Sequence, residues 1–168
     1  LGPDQPDKPL GGDNVKAVSE GAEGSSPVQA IGVSDVLIFL TRDGRRIKTI
    51  GYNFEKDKLK ASDLNALSGT ELTDSQIRQF AFRQNPYPEL YFTLNDGKVA
   101  LMTFDQDQNI YGWSKFDTAG EIKSTTTVKG VDNDDVYFAV KRNINGIDTM
   151  MIERMIDRDF ATQEDWFF

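Results

Sequence analysis

The residues best suited to chemistry in this chain are oxygen-bearing side chains at alternating positions of one short stretch. Asp105, Asp107 and Asn109 precede Gly112 and could offer several oxygen ligands to a hard cation such as Ca²⁺. The EF-hand pattern fails, because the glycine comes too late and no glutamate closes the loop. Asp and Asn also favour turns. We therefore favour a polar turn between two strands over a metal site.

A second acidic run, from Asp132 to Asp135, allows the same two interpretations. It is either a cation site or a solvated turn beside an apolar strand, and the turn is favoured. Its carboxylates could also lie at a subunit interface or along the wall of a channel. Asp132, Asp134 and Asp135 are therefore interface or lumen candidates.

The absence of cysteine and histidine limits the enzymatic chemistry open to the chain. Thiolate nucleophiles, Cys/His zinc sites, disulfides and imidazole bases are all excluded. A pair of carboxylates could hydrolyse a glycoside, but 27 acidic residues give no basis for choosing the pair. A Gly-rich phosphate-binding loop is also missing from the sequence. We therefore predict a protein that is not an enzyme and has no cofactor.

Basic residues are concentrated around one predicted turn, in a chain whose net charge is −8. Arg42, Arg45 and Arg46 could contact phosphates, line a channel or lie at a subunit interface. They could also belong to a solvated strand edge, where Lys and Arg discourage aggregation, and this interpretation is favoured. The overall negative charge argues against a surface that grips nucleic acid.

Three hairpins recur along the sequence and must position these residues. Each has an apolar five-residue strand, a turn that contains glycine, and a returning strand. An Asp-Gly pair between alternating apolar runs is a strong local signal for a hairpin. The first strands are predicted at 36–40, 90–94 and 136–140, and the returning strands at 46–52, 99–104 and 149–153.

Further strand candidates flank the hairpins, at 28–33, 77–82, 110–116 and 122–128. Four consecutive strands between 77 and 116 match one β-propeller blade of about 40–50 residues. A complete propeller has ~4–8 blades, so we predict an all-β fold with about three blades of a partial propeller. A sandwich, a barrel and a single irregular all-β domain are the alternatives.

Two stretches depart from the strand pattern. Residues 1–26 are rich in Pro, Gly and Ser and predict a flexible arm before an all-β domain at 27–168. The run from Ala61 to Leu67 predicts a short helical turn capped by Ser62 or Asp63. No apolar run reaches the ~20 residues of a membrane-spanning helix, so we expect no membrane insertion.

Several short motifs follow one another in a recognisable order. They are Gly24-Ser-Ser-Pro-Val-Gln, Arg42-Asp-Gly-Arg-Arg-Ile-Lys-Thr-Ile-Gly-Tyr-Asn-Phe, Ile77-Arg-Gln-Phe-Ala-Phe-Arg-Gln-Asn-Pro, Leu101-Met-Thr-Phe, Gly112-Trp113, Val140-Lys-Arg and Ile152-Glu-Arg. Their order and spacing resemble the phage tail tubular protein B family, the tail nozzle of short-tailed phages. The resemblance extends from about Asn14 to the C-terminus.

That resemblance implies an internal segment of a longer structural protein, located in the virion tail and synthesised in the host cytoplasm. Nozzle proteins are built around a β-propeller, hang below the adaptor ring as homohexamers and conduct DNA during ejection. The expected partners are the adaptor ring, neighbouring nozzle subunits and DNA that passes without specific binding. The family has no catalytic residues to transfer to this sequence.

Two other functions are kept as alternatives. A carbohydrate- or host-receptor-binding β module predicts a pocket lined by Tyr111 and Trp113. A carboxylate-dependent glycoside hydrolase predicts a cleft with two close carboxylates whose pKa values differ. Core packing explains Trp113 more simply than sugar stacking, so the structural function is preferred.

Overall fold

The computed structural model describes residues 7–8, 24–55, 58–65, 74–105, 108 and 110–156. This part of the chain is all-β and contains no helix, and therefore no helix that could cross a membrane. Its strands are β1 (Ile31–Val33), β2 (Val36–Leu40), β3 (Ile47–Asn53), β4 (Lys58–Asp63), β5 (Ile77–Arg83), β6 (Glu89–Leu94), β7 (Val99–Asp105), β8 (Ile110–Phe116), β9 (Glu121–Val128), β10 (Asp135–Ile144) and β11 (Ile147–Arg154).

The described strands form three antiparallel sheets, none of which is closed. Sheet I contains β1 to β4 and sheet II contains β5 to β8, each in sequence order. Sheet III contains β9 to β11 within the described residues, again in sequence order. Each sheet is therefore a meander in which every strand pairs with the strand that precedes it.

The three predicted hairpins are confirmed as β2–β3, β6–β7 and β10–β11. The chain reverses at Gly44, Gly97 and Gly146, all with positive φ values that glycine adopts without steric cost. The third hairpin is longer than predicted, because β10 and β11 stay paired as far as Ile144 and Ile147. The strand predicted at 28–33 is shorter than expected and begins at Ile31.

The helical turn predicted from Ala61 to Leu67 is wrong in its first half. Ala61, Ser62 and Asp63 lie in β4, where they pair with β3. Sequence reasoning missed β4 because all six of its residues are exposed, so no apolar alternation marks it. Ala66 and Leu67 lie outside the described residues.

Sheets I and II pack face to face around a common apolar core. Alternate residues of a strand point to opposite faces, so Leu90, Phe92 and Leu94 of β6 all point towards sheet I. Phe92 lies 5.6 Å from Trp113 between ring centroids. The buried members of this core are Val33, Ile38, Leu40 and Ile47 from sheet I and Ile77, Phe80, Leu90, Phe92, Leu94, Ala100, Met102 and Phe104 from sheet II.

Sheet II packs against sheet III through its opposite face. The hydroxyl groups of Thr93 and Thr125 form a buried hydrogen bond of 2.7 Å across this interface. All six residues of β6 are buried, because both faces of this strand are covered. The second core contains Tyr91, Val99 and Leu101 from sheet II and Ile122, Val136, Phe138 and Val140 from sheet III.

Equivalent backbone hydrogen bonds join sheet I to sheet II and sheet II to sheet III. The carbonyl of Gly44, in the β2–β3 turn, accepts the N–H of Ile77 at 2.8 Å at the start of β5. The carbonyl of Gly97, in the β6–β7 turn, accepts the N–H of Ile122 at 2.9 Å near the start of β9. Each central turn therefore holds the first strand of the following sheet.

Candidate functional site

Asp105, the first residue of the predicted metal candidate, stabilises a turn. Asp105 ends β7, and its carboxylate accepts the N–H of Gln108 at 3.0 Å. Asp107 and Asn109 lie outside the described residues. Among the residues that are described, no three acidic side chains are placed to hold a metal ion together.

Two predicted candidates from separate acidic stretches meet in one cavity. Asp105 and Asp134 both line a cavity of about 430 Å³, together with Lys129 and Gln84. Asp134 is already engaged, because its Oδ2 accepts the N–H groups of Gln84 at 2.9 Å and Asn85 at 3.1 Å. This carboxylate therefore joins the β5–β6 connection of sheet II to the segment that leads into sheet III.

The other two residues of the second acidic run lie nearer the surface. Asp132 is exposed, whereas Asp135 is half-buried and lies 3.5 Å from a guanidinium nitrogen of Arg154. Of the three predicted interface or lumen aspartates, Asp132 and Asp135 are accessible to a partner, and Asp134 holds the fold together.

Asp134 gives a stability prediction with a defined pH dependence. Burial acts to raise its pKa, but the backbone N–H groups of Gln84 and Asn85 outweigh burial and hold the pKa below its ordinary value. Its stabilising contribution is thus complete above the unfolded-state pKa of about 3.9 and is lost as the pH falls through the lower folded-state pKa. We expect Asp134→Asn to lower the free energy of unfolding by about 2 kcal/mol at pH ~7.

Urea unfolding across an acid pH series measures this effect. The gap between the wild type and Asp134→Asn should begin to narrow below pH ~4, where the carboxylate of the unfolded chain takes up a proton, and should close as the pH falls through the lower folded-state pKa. Asp132→Asn is the matched control, because Asp132 is exposed, and should change stability by less than about 0.5 kcal/mol. A gap that stays constant into acid would contradict the assigned role.

The three predicted arginines lie together on the central turn of sheet I. Arg42, Arg45 and Arg46 are all exposed. Asp43 fixes the turn by accepting the N–H of Arg45 at 3.2 Å, and the Thr41 hydroxyl holds the pKa of Asp43 below its ordinary value. The backbone of this turn binds the next sheet, while its guanidinium groups are presented to solvent.

A buried polar cluster escaped the sequence reasoning. Arg83 and Glu89 are 3% and 1% exposed, with a nitrogen–oxygen distance of 3.9 Å. Tyr91 donates a hydrogen bond of 2.6 Å to Glu89, and burial followed by this contact raises the pKa of the Tyr91 hydroxyl. The available signal was the Glu-x-Tyr spacing at the start of β6, which places both side chains on one face.

The outer face of sheet I repeats the covered face of sheet II. Leu37 and Phe39 stand seven and five residues before Gly44, as Leu90 and Phe92 stand before Gly97. Leu37 pairs across the hairpin with Ile50, as Leu90 pairs with Met102. The corresponding pairs on the two faces are Leu37 and Leu90, Phe39 and Phe92, Ile50 and Met102, and Tyr52 and Phe104.

These equivalent positions differ sharply in exposure. Leu90 is 0% exposed and Phe104 is 3% exposed, because sheet I covers them. Leu37 and Tyr52 are 43% and 49% exposed, since no described element lies on the outer face of sheet I. Phe39 and Ile50 are intermediate in exposure, and Lys48 stands where the covered face has Ala100. The outer face of sheet I therefore shares four apolar positions with a covered face and leaves two of them exposed.

The far end of the stack is also apolar. Ile147, Met150 and Ile152 of β11 are all exposed, and the β10–β11 hairpin extends beyond the last residue paired with β9. Gly146, at the tip of this hairpin, has no atom within 4 Å of the place where a Cβ would lie. Gly97, at the same place in sheet II, is covered by Glu121.

A cleft opens between the outer strands of sheets I and II. Its volume is about 370 Å³, and it contains the Tyr111 and Trp113 side chains of β8 on one side. Ser62 and Asp63 of β4 lie on the other side. The structure thus brings the two aromatic residues that the sequence singled out together with the side chain of Ser62, which the sequence had suggested as a helix cap.

A scan against protein-family models and a search of curated proteins both found no match to this chain.

Proposed function

We propose that this chain is a structural component of a phage tail nozzle and that its three sheets are successive blades of a β-propeller. The observation that carries the proposal is the repetition of a covered face on the open side of sheet I. Leu37 and Phe39 there correspond to the buried Leu90 and Phe92 of sheet II. A face of this kind is stable when another sheet lies on it.

The manner of stacking supports the blade interpretation. Each sheet is a meander, and each packs its face on the next sheet in the chain. The carbonyls of Gly44 and Gly97 make the same contact with the following sheet. A propeller repeats one such contact around a ring, so that open apolar faces remain only where the series is interrupted.

The buried ionisable groups support a structural function. Arg83 and Glu89 pair with each other inside the stack, and Asp134 accepts backbone N–H groups between sheets II and III. Buried charges of this kind require fixed partners and fixed positions. These three buried charged groups therefore stabilise the packing of the sheets, which suits a rigid tube.

The charge of the chain suits a channel that DNA must leave freely. The net charge is −8, and a negative wall repels phosphates, so the duplex does not adhere. We expect the purified chain to leave duplex DNA unretarded in a gel at physiological salt. The contrary result is that the chain retards the DNA and that the triple variant Arg42→Glu, Arg45→Glu, Arg46→Glu abolishes the retardation. The three arginines would then form a nucleic-acid-binding surface, which contradicts the free-passage mechanism.

Imaging of the longer protein tests the proposal most directly. Electron microscopy should resolve the three sheets as adjacent radial blades within an oligomer that surrounds a channel. Antibodies raised against residues 24–156 should label virion tails at the end away from the head. Sheets arranged as a two-layer sandwich would refute the propeller, and absence of the label from virions would refute the tail assignment.

A further inference from the structure

The cleft between β4 and β8 has one aromatic wall and one polar wall. Tyr111 and Trp113 are two residues apart on β8, so their rings share the face that looks towards sheet I. Ser62 faces them from β4 and pairs with Thr49 of β3, so the two hydroxyl-bearing side chains share the inner face of sheet I. The cleft therefore presents ring surfaces and hydrogen-bonding groups to the same small volume.

The aromatic wall is held in place from behind. Trp113 stacks on Phe92 with an interplanar angle of 27°, and Tyr111 packs on Phe104 with a centroid distance of 5.7 Å. Phe92 and Phe104 belong to the buried core, so their rings are fixed. A platform that is fixed before binding loses little conformational entropy when a ligand arrives.

Core packing does not account for this whole arrangement. Trp113 fits that explanation, because it is half-buried against Phe92. Tyr111 does not, since 45% of its surface is exposed at the mouth of the cleft. A large aromatic side chain that stays exposed beside a concave polar wall is typical of a binding site.

We propose that this cleft binds a neutral saccharide. The C–H faces of a sugar ring pack on aromatic rings, while its hydroxyl groups form hydrogen bonds with hydroxyl oxygens such as those of Ser62 and Thr49. The volume of about 370 Å³ is at the lower end of the range for small-molecule sites and suits one or two sugar rings. The net charge of −8 disfavours an anionic sugar.

Saccharide binding is independent of assembly into a nozzle. The cleft is formed by sheets I and II alone, so it exists whether or not further sheets extend the stack. The binding test therefore uses the chain by itself, and its outcome leaves the tail assignment to be decided by imaging.

Tryptophan fluorescence gives a direct readout. The chain has two tryptophans, so Trp166→Phe leaves Trp113 as the single reporter. We expect maltotriose, cellotriose or tri-N-acetylchitotriose to shift the Trp113 emission with a dissociation constant on the order of 1 mM. Sialyllactose, which carries a negative charge, should bind more weakly than the best neutral sugar.

Two substitutions assign the binding to the cleft. Tyr111→Ala and Ser62→Ala should each weaken saccharide binding at least about tenfold, because each removes one wall contact. Tyr87→Ala is the matched control, since Tyr87 is 50% exposed and does not line the cleft, and it should bind as the wild type does. Circular dichroism establishes that each variant is folded, and Ser62 is exposed, so its substitution leaves the core intact.

Three results would overturn the proposal. The first is that none of the neutral saccharides changes Trp113 emission. The second is that binding survives both Tyr111→Ala and Ser62→Ala, which would move the sugar elsewhere on the protein. The third is preferential binding of a proline-rich peptide in the same titration, which would identify the aromatic wall as a peptide-recognition surface.

Discussion

Leu90→Lys should unfold the chain or nearly so, with a loss of ~4 kcal/mol or more in the free energy of unfolding. Leu90 is 0% exposed, and its side chain lies in the core between sheets I and II. A lysine there must either bury an unpaired ammonium group or push the two sheets apart. Chemical denaturation followed by far-UV circular dichroism measures the loss.

The chain provides its own control at the equivalent position of sheet I. Leu37 corresponds to Leu90 in strand and register but is 43% exposed. Leu37→Lys should therefore change the stability of the isolated chain by less than about 0.5 kcal/mol. Equal losses at the two positions would mean that the outer face of sheet I is already covered.

The same pair of substitutions separates the isolated chain from the proposed propeller. In a longer protein whose preceding blade covers sheet I, Leu37 is buried as Leu90 is. Leu37→Lys should then become as destabilising as Leu90→Lys. If Leu37→Lys remains harmless in the longer protein, the outer face of sheet I has no covering sheet, and the blade proposal fails.

Gly97→Ala should lower the free energy of unfolding by about 3 kcal/mol. The residue has a φ of +81°, a conformation that costs other L-amino acids roughly 1–2 kcal/mol. A Cβ at this position would also lie 3.0 Å from the Cα of Glu121, and such overpacking costs about 1–3 kcal/mol. The turn cannot move away freely, because its carbonyl holds Ile122.

Gly146→Ala measures the backbone strain alone, so the difference between the two variants gives the cost of the Cβ contact. Gly146 has a similar φ of +85°, but its Cβ would meet no atom within 4 Å. Its substitution should cost only the backbone strain, about 1 kcal/mol. Urea denaturation of both variants gives the comparison. A Gly97→Ala loss no larger than that of Gly146→Ala would show that the contact between sheets II and III adapts at little cost.

Local chemistry made the hairpins predictable. Asp43-Gly44 and Asp96-Gly97 mark reversals that only glycine adopts easily, and apolar runs on each side specify the strands. The fold class follows from these signals, because several short strands in succession favour an all-β chain. The partial propeller remains a prediction, since periodicity within a strand does not determine how sheets are arranged around an axis.

Other features depend on contacts between residues far apart in the sequence. β4 is fully exposed and carries no alternation, so its pairing with β3 could not be read from residues 58–63. The aromatic residues of β8 were identified, but Ser62 could not be joined to them without the packing of sheet I on sheet II. Similarly, nothing local brings Asp134 to the N–H groups of Gln84 and Asn85.

The burial of β6 on both faces creates a gradient of protection against solvent along the stack. Its amide hydrogens bond to β5 and β7 within sheet II, and both faces of the strand are covered, so they exchange with deuterium only when sheet II itself opens. Strands at the ends of the stack, such as β11, are largely exposed and can open in local fluctuations. The ends can therefore adjust to neighbouring elements while the middle sheet keeps its shape.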